Sequence, residues 1–274
     1  MEFKLNAICI NFKPAALFDL AAGSSYGGSM EHSGIAQDEW GARQELAAVY
    51  RLVEIHGWGE SIYNHISLRV PNEPGSFLIK AHDRLYSEVT ASNLVKVSIE
   101  GDLDEKSGVN RPGYVLHGGV LQCRPDVNCA LHVHTAEGIA ISACVEPLRM
   151  LSQYAVRFYG RVGYHPYEGI TDGLDERARI EQHLGQNIAL FMRNHGVLTV
   201  ASSARAAFIR IKDLLEACRI ELMLLASGRE LVEVPAEVCE RTVRQFAAHD
   251  DGRGGADWPA YLRMLDSMDP SWRS

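Results

Sequence analysis

Apolar side chains recur every three or four positions between residues 38 and 55. This spacing places them on one face of a helix, and it predicts a helix over residues 38–55 with Asp38 as its N-cap and Gly57 as its stop. The same periodicity predicts a long amphipathic helix over residues 203–226. The first pattern is carried by Leu46, Val49, Tyr50 and Val53.

Short segments rich in β-branched and aromatic residues lie between these helices and predict strands. Further helices predicted over residues 112–123 and 176–184 alternate with the strands, which is the rhythm of an α/β domain. Residues 147–173 are predicted to be mostly loop. The predicted strands cover residues 62–70, 76–79, 94–99, 128–134, 188–193 and 197–200.

The composition indicates one folded domain with two irregular ends. The 274 residues are 46% hydrophobic, which excludes a disordered or collagen-like chain and supplies a sizeable core. A flexible extension is predicted over residues 1–29, because a Gly/Ser-rich segment precedes Met30, which is a second candidate start. The folded domain is predicted over residues 30–230 and a peripheral C-terminal arm over residues 231–274.

Charge, hydropathy and the cysteine pattern narrow the function classes. The 27 basic and 35 acidic residues give a net charge of −8 without any basic run, which argues against a nucleic-acid partner. The apolar stretch near the N-terminus is interrupted by Asp19, so it fits neither a signal peptide nor a membrane span. Six cysteines without a C-x-x-C pair are typical of reduced thiols. We therefore expect a cytoplasmic protein that acts on a small molecule, with no nucleic-acid or membrane partner.

The strongest chemical signal is the pair His132 and His134, which flanks one residue of a predicted strand. Alternate residues of a strand face the same side, so both imidazoles share a face. Catalytic metals usually have three protein ligands and an open position, so a third ligand is expected elsewhere in the chain. His195 is the best candidate, because it follows an apolar strand in a turn where Gly196 allows close approach. The competing interpretation is a pair of ordinary buried histidines.

Five motifs occur in the order that is found in the class II aldolase and adducin head-domain family, which the chain resembles over roughly residues 38–228. The resemblance implies an α/β fold, with three α/β/α layers and a central, mainly antiparallel sheet. It also implies a tetramer with active sites between subunits. The motifs are NHISLR (64–69), LYSEVT (85–90), a helix from His117 to RPD (124–126), HVHT (132–135) and RNHG (193–196).

The resemblance further implies that His132, His134 and His195 hold a divalent metal, typically zinc and sometimes manganese or iron. Such an ion binds two oxygens of a hydroxy or oxo acid and stabilises the enediolate that is left when a carbon–carbon bond breaks. The first hypothesis is therefore a lyase that works by retro-aldol cleavage or decarboxylation. A non-haem iron oxygenase and a non-enzymatic, adducin-like binding and oligomerisation domain are the alternatives.

Two departures from the family's sugar-phosphate aldolases bear on the substrate. Those enzymes carry a glutamate one helical turn before the residue matching His117, and this chain has Gly113 there. At positions matching their phosphate site it has Asp83, which would repel a phosphate, and Arg111, whose planar fork of donors suits a carboxylate. We therefore expect a substrate that is carboxylated and not phosphorylated.

The residue that replaces the missing glutamate in proton transfer is left open by the sequence. His117, Tyr159 and Glu168 are predicted as the catalytic candidates, and Tyr114 and His165 lie in segments expected near the same site. His117 is also a possible fourth metal ligand. The competing interpretation is a helix histidine that is bonded to the backbone.

Three side chains are predicted to bind the substrate, namely Asn64, Arg111 and Arg157. Asn64 equally suits the capping of a turn, and Arg157 equally suits an ion pair in the core. His65 is expected on the opposite side of the strand from Asn64, so that the two do not serve one ligand.

Overall fold

The structure is a computed structural model that describes residues 35–249 and 257–274. The extension predicted over residues 1–29 lies outside the described residues. The strands are β1 (His65–Val70), β2 (Glu73–Lys80), β3 (Leu94–Ser98), β4 (Cys129–Val133), β5 (Val162–His165), β6 (Ala189–Met192) and β7 (Gly196–Ala201). The helices are α1 (Gln37–Ile55), α2 (Arg111–Cys123), α3 (Ala136–Ser142), α4 (Gln153–Val156), α5 (Glu176–Leu184), α6 (Ala204–Ser227), α7 (Ala236–His249) and α8 (Asp257–Met268).

The seven strands form one sheet in the order β3-β2-β1-β4-β7-β6-β5. Every neighbouring pair is antiparallel except β5 and β6, which run parallel. One face of the sheet packs against α1, α6 and α8, and the other packs against α2 and α5. The expected α/β fold with a mainly antiparallel central sheet is confirmed.

Strand β4 lies in the middle of the sheet and shows why the two faces differ. Leu131 and Val133 pack into the core that α1 and α6 cover, whereas Ala130 packs into the core that α2 covers. Because side chains alternate along a strand, His132 shares the face of Ala130 and points toward α2.

The helices of the described segments are too short or too polar to cross a membrane.

The start of α1 differs from the prediction. The helix begins at Gln37 and its N-cap is Ala36, whose side chain makes no capping hydrogen bond, while the Glu39 amide in the first turn donates to the Asp38 carboxylate at 2.9 Å. Asp38 lies inside the first turn, where its carboxylate accepts a hydrogen bond from the Asn72 side chain. The negative charge still lies near the positive end of the helix dipole, so the residue type suits the position without capping it.

The segment predicted as loop over residues 147–173 contains α4 and β5. Four residues are too few for strand periodicity to show in a sequence. What makes β5 a strand is its parallel pairing with β6, in which Val162 lies opposite Ala189 and His165 opposite Met192. That contact joins residues far apart along the chain, so no local pattern reveals it.

The prediction of a peripheral arm is wrong for the last residues of the chain. Trp258, Leu265 and Trp272 all belong to the core beneath α1 and α6. The backbone amide of Ala91 donates to the carbonyl of Trp272 at 3.0 Å, which joins the C-terminus to the loop before β3. Two large aromatic side chains bury enough apolar area to dock a short segment, although polar residues separate that segment from the rest of the sequence.

Candidate metal centre

Three elements bring the predicted metal ligands together. His132 lies in β4 opposite Leu198 of β7, and His134 follows one residue after the end of β4. His195 lies in the tight turn between β6 and β7, where Asn194 adopts a positive φ of 59°. Asparagine tolerates this left-handed conformation better than most residues. The antiparallel pairing of β4 with β7 therefore places the turn directly beside His132 and His134.

Gly196 is needed for this approach. A Cβ atom at this position would lie 2.6 Å from the carbonyl oxygen of Val133 and 2.9 Å from the His134 ring. The first contact is with backbone, which cannot rotate away. The expectation that glycine allows close approach at this turn is therefore confirmed.

The three imidazoles converge on one point. Their ring centroids are 4.6 Å apart for His132 and His134, 5.0 Å for His132 and His195, and 4.6 Å for His134 and His195. Their ligand nitrogens all lie within 4.8 Å of one another. Three imidazole nitrogens at such separations fit the ligand set of a divalent ion.

The protons of His132 and His134 are fixed by acceptors behind the two rings. His132 Nδ1 lies 3.0 Å from the carbonyl oxygen of Val197, and His134 Nδ1 lies 2.6 Å from a carboxylate oxygen of Glu60. Neutral imidazoles must therefore carry their protons on Nδ1, which leaves the lone pairs on Nε2. The two Nε2 atoms are 2.8 Å apart, so two lone pairs face each other. A cation between them would turn this repulsion into ligation.

Burial keeps the rings of His195 and His132 neutral. It lowers the pKa of His195 to about 4, with the neighbouring His134 and His165 lowering it further. Burial also lowers the pKa of His132 well below its ordinary value, and the surrounding histidines add to the effect. Near neutral pH both rings are therefore in the form that binds a metal.

Glu60 is a part of the site that sequence reasoning missed. It lies in the loop between α1 and β1, far along the chain from His134, so no spacing links the two residues. Asn64 supports that loop, because its side-chain amide donates to the carbonyl of Trp58 at 2.8 Å. A carboxylate behind a histidine ligand orients the ring and raises its basicity.

A cavity of about 380 Å³ opens onto the three histidines. Its rim is apolar and exposed, with Tyr63, Tyr167 and Ile170 at 55%, 58% and 77% exposure. Among the described residues, no lysine or arginine lines it. The lining residues are Glu60, Tyr63, His65, Asn110, Pro112, Leu116, His132, His134, Tyr167, Gly169, Ile170, Thr171 and His195.

The structure does not bring the three predicted substrate-binding residues to this cavity. Asn64 holds the preceding loop, as described above. Arg111 donates to Asp102 at 2.8 Å and to the backbone carbonyl of Asp172 at 2.9 Å, outside the cavity. Arg157 is buried, pairs with Asp213 at 2.7 Å and stacks on an aromatic ring of α7. These contacts favour the turn-capping interpretation of Asn64 and the ion-pair interpretation of Arg157.

Three of the acid/base candidates, Tyr159, Glu168 and Tyr114, do not line the cavity either. Tyr159 is partly buried and does not line it. Glu168 pairs with Arg179 at 2.7 Å, and the Tyr114 hydroxyl donates to the carbonyl of Gly101. Their assignment as proton-transfer groups stays a prediction that these contacts do not support.

His117 does not line the cavity. Its contacts fit neither a fourth metal ligand nor a helix histidine that is bonded to the backbone. It is fully buried, and burial lowers its pKa to about 3. Its Nε2 lies 2.9 Å from His65 Nδ1 and its Nδ1 lies 2.6 Å from Ser67 Oγ. Both nitrogens are engaged with side chains, so neither metal ligation nor a backbone bond describes this residue.

His65 is the second residue that the sequence analysis passed over. It lines the cavity and stacks on His132, with ring centroids 5.2 Å apart. The strand pairing explains the contact, because His65 in β1 lies directly opposite His132 in β4. The alternation argument correctly separated His65 from Asn64, and the structure places His65, not Asn64, at the cavity.

A second group of potential metal ligands lies on the other side of His195. The ligand atoms of His165, Glu168 and Glu176 also lie within 4.8 Å of one another. Each of these groups already has a protein partner, and the pairs are His165 with His183 at 2.9 Å, Glu168 with Arg179 at 2.7 Å, and Glu176 with Thr171 at 3.0 Å.

Comparison with known proteins identifies relatives that cover most of the chain. Residues 44–222 match the family described as Class II Aldolase and Adducin N-terminal domain. An aldolase II superfamily protein from Pseudomonas syringae is 40% identical with a TM-score of 0.81, and the match covers 88% of this chain and 98% of that one. Alpha-adducin from Mus musculus is 44% identical over 191 residues, which are 68% of this chain and 26% of that protein. L-fuculose 1-phosphate aldolase from Glaciozyma antarctica PI12 shares the fold at a TM-score of 0.73 and 22% identity, covering 86% of this chain and 93% of that one.

Proposed function

The chain belongs to the class II aldolase and adducin N-terminal domain family, and from this premise we propose that it is a divalent-metal-dependent lyase that breaks a carbon–carbon bond. The observation that carries the proposal is the pair of Nε2 lone pairs of His132 and His134, which face each other across 2.8 Å beside His195. Three imidazoles with an open position form the ligand set of catalytic zinc sites. We therefore take zinc as the ion, with manganese and iron as the alternatives.

A bound divalent ion would polarise substrate oxygens and stabilise the negative charge that forms when the carbon–carbon bond breaks. The chain's own residues prepare that site. Glu60 and the Val197 carbonyl hold the rings of His134 and His132 in a fixed orientation, which lowers the cost of binding. The turn between β6 and β7 places His195, the third ligand, beside them.

The cavity lining favours a substrate without a phosphate group. No lysine or arginine among the described residues lines the cavity, so a phosphate group would have no cationic partner there, and a carboxylate would have to bind the ion itself. We propose a small hydroxy or oxo carboxylic acid as the substrate, cleaved by retro-aldol reaction or decarboxylation. Its oxygens would lie toward the three histidines, and its remaining atoms would lie against Leu116, Tyr167 and Ile170.

We further propose that the protein forms a homotetramer in which a neighbouring subunit borders the cavity. The exposed rim residues Tyr63, Tyr167 and Ile170 support this, because contiguous exposed apolar side chains mark interaction surfaces. Light scattering after size exclusion tests the assembly, and a monomer would contradict it.

The similarity to alpha-adducin favours a second candidate, a binding and oligomerisation domain without catalysis. The two candidates differ in what three convergent imidazoles are for. A purely structural domain has no need for paired lone pairs in a cavity that is open to small molecules.

A turnover assay separates the candidates. The purified protein is stripped with a chelator, reloaded with zinc, manganese or iron(II), and incubated with a panel of hydroxy and oxo acids while products are followed by NMR. Metal-dependent formation of an aldehyde, a ketone or carbon dioxide supports the lyase. Oxygen consumption with iron alone would identify an oxygenase, and no turnover with any loaded metal would favour the binding domain.

A further inference from the structure

His65 occupies the space beside Gly113 that any larger residue at that position would need. A Cβ atom at Gly113 would lie 2.8 Å from Cδ2 and 3.1 Å from Cγ of the His65 ring. The glutamate that sugar-phosphate aldolases carry at the matching position is thus replaced by an imidazole from the neighbouring strand. His65 is 6% exposed, and it lines the cavity next to His132.

A chain of hydrogen bonds behind His65 determines which of its nitrogens carries the proton. Ser67, His117 and His65 are all buried, and they are joined by contacts of 2.6 Å and 2.9 Å. Within the described residues, the Ser67 hydroxyl has no bonding partner other than His117 Nδ1. The hydroxyl therefore donates to Nδ1, because the reverse direction would leave a buried hydroxyl proton without an acceptor.

The direction of the first bond fixes the rest. With Nδ1 of His117 accepting, its single proton is on Nε2 and is donated to His65 Nδ1. A neutral His65 must then carry its proton on Nε2. No described residue bonds to that Nε2 atom, and the ring borders the cavity.

We propose that His65 is a catalytic residue whose Nε2–H donates a hydrogen bond to the substrate oxygen that gains negative charge as the carbon–carbon bond breaks, and that Ser67 and His117 are positioning residues that hold it in this tautomer. The inference rests on the proposed lyase function. In a retro-aldol cleavage the substrate hydroxyl gives its proton to water as it becomes a carbonyl, the electron pair of the breaking carbon–carbon bond moves onto the substrate's oxo group, and water returns a proton to the enolate carbon. In a decarboxylation carbon dioxide leaves, the electron pair moves to the same oxygen, and water supplies the proton to carbon. His65 keeps its proton in both reactions. A preorganised donor of this kind stabilises the transition state more than the bound substrate.

Two variants of His65, one of Ser67 and a matched control test the assignment. His65→Phe keeps a planar ring without a donor, and His65→Gln keeps a side-chain N–H of similar reach. His183→Phe is the control, because that ring lies outside the cavity. With zinc loaded, we expect His65→Phe to lower kcat by about 100- to 1000-fold with little change in KM, and His65→Gln to recover part of the loss. Ser67→Ala is expected to lower kcat by about 10- to 100-fold.

The tautomer is measured independently of activity by long-range ¹H–¹⁵N NMR of histidine-labelled, zinc-loaded protein, with the His65 signal assigned from its absence in His65→Phe. The proposal is supported if His65 carries its proton on Nε2 in the wild type and the proton moves toward Nδ1 in Ser67→Ala. A proton on Nδ1 overturns it, as does an unchanged kcat in His65→Phe. A third readout is calorimetric binding of glycolohydroxamate, a planar, anionic mimic of the charge-bearing state.

The outcomes also distinguish the proposed role of His65 from the proposed lyase function on which it rests. If zinc-loaded wild type binds glycolohydroxamate and His65→Phe binds it at least about tenfold more weakly at equal zinc content, His65 is the donor. If both bind equally, the metal site stands and the role of His65 is refuted. If zinc-loaded wild type neither binds the mimic nor turns over any acid, the lyase function itself fails, and the donor role fails with it.

Discussion

Two groups of side chains in this molecule each bring three ligand atoms within 4.8 Å of one another, and they differ in where their protons are. At His132 and His134, acceptors behind the rings hold the protons on Nδ1 and leave both Nε2 lone pairs facing each other. At Glu168 and Glu176, the carboxylates already accept hydrogen bonds from Arg179 and Thr171.

The comparison shows that proximity of ligand atoms is a weak criterion for a metal site. What matters is whether the lone pairs are free and point at one another. The first group would gain a favourable interaction from a cation, whereas the carboxylates of the second group already have Arg179 and Thr171 as partners. We therefore place the ion at the three histidines and none at the second group.

Removing one histidine from each group gives the largest expected contrast. His134→Ala leaves two protein ligands, and we expect zinc affinity to fall by more than about 100-fold, beyond the range for residues behind the ligands. His165→Ala should leave zinc affinity within about threefold of wild type. Competition with a chromophoric chelator measures both, and equal losses in the two variants would erase the distinction.

A smaller effect is expected behind the ligands. Glu60→Gln keeps the shape of the side chain but removes the charge that accepts the His134 proton at 2.6 Å, so zinc affinity should fall by about 10- to 100-fold. Glu146→Gln, an exposed loop substitution, is the control. The same chelator competition applies, and an unchanged affinity in Glu60→Gln would show that the carboxylate does not orient the ring.

Acid should lower the free energy of unfolding of the metal-free protein through His195, a member of the first group. Burial lowers the pKa of His195 to about 4, so between that value and about 6.5 the unfolded chain binds more protons than the folded chain. The free energy of unfolding therefore falls as pH falls through this window, by up to about 1.4 kcal/mol per pH unit for this residue. Urea unfolding in EDTA at pH 7, 6 and 5 should give a shallower dependence for His195→Gln; identical slopes would refute the prediction.

The smallest effect is expected in the second group. Glu168 and Arg179 form a partly exposed ion pair, and such pairs contribute about 1 kcal/mol or less. Glu168→Gln should therefore lower the free energy of unfolding by less than about 1 kcal/mol and leave the zinc content unchanged. Urea denaturation and elemental analysis check both parts, and loss of zinc would move the metal site toward this group.

The sequence was sufficient for the elements that local patterns determine. Helical periodicity located α1 and α6, and the alternation at His132 and His134 together with the RNHG motif singled out the three converging histidines. In contrast, β5 depends on pairing with β6, and the docking of Trp272 depends on a core that is assembled from distant residues. Neither has a local signature.

The same limit explains what was missed in the site. Glu60 lies in a loop with no spacing relation to His134, and only the folded chain brings them together. His65 was visible in the NHISLR motif, yet its role follows from the β1–β4 register, which places it opposite His132. Arg111 and Arg157 suited a carboxylate by residue type alone, and their partners in the fold are acidic side chains instead.

The most direct test of the account is the metal content of the zinc-reconstituted protein by mass spectrometry, beside a His132→Ala/His134→Ala double variant whose fold is confirmed by circular dichroism. The account predicts one ion for each wild-type chain and none in the double variant. A wild-type protein that holds no ion after reconstitution, or a double variant that keeps its full complement, would contradict the assignment of the three histidines as a metal centre.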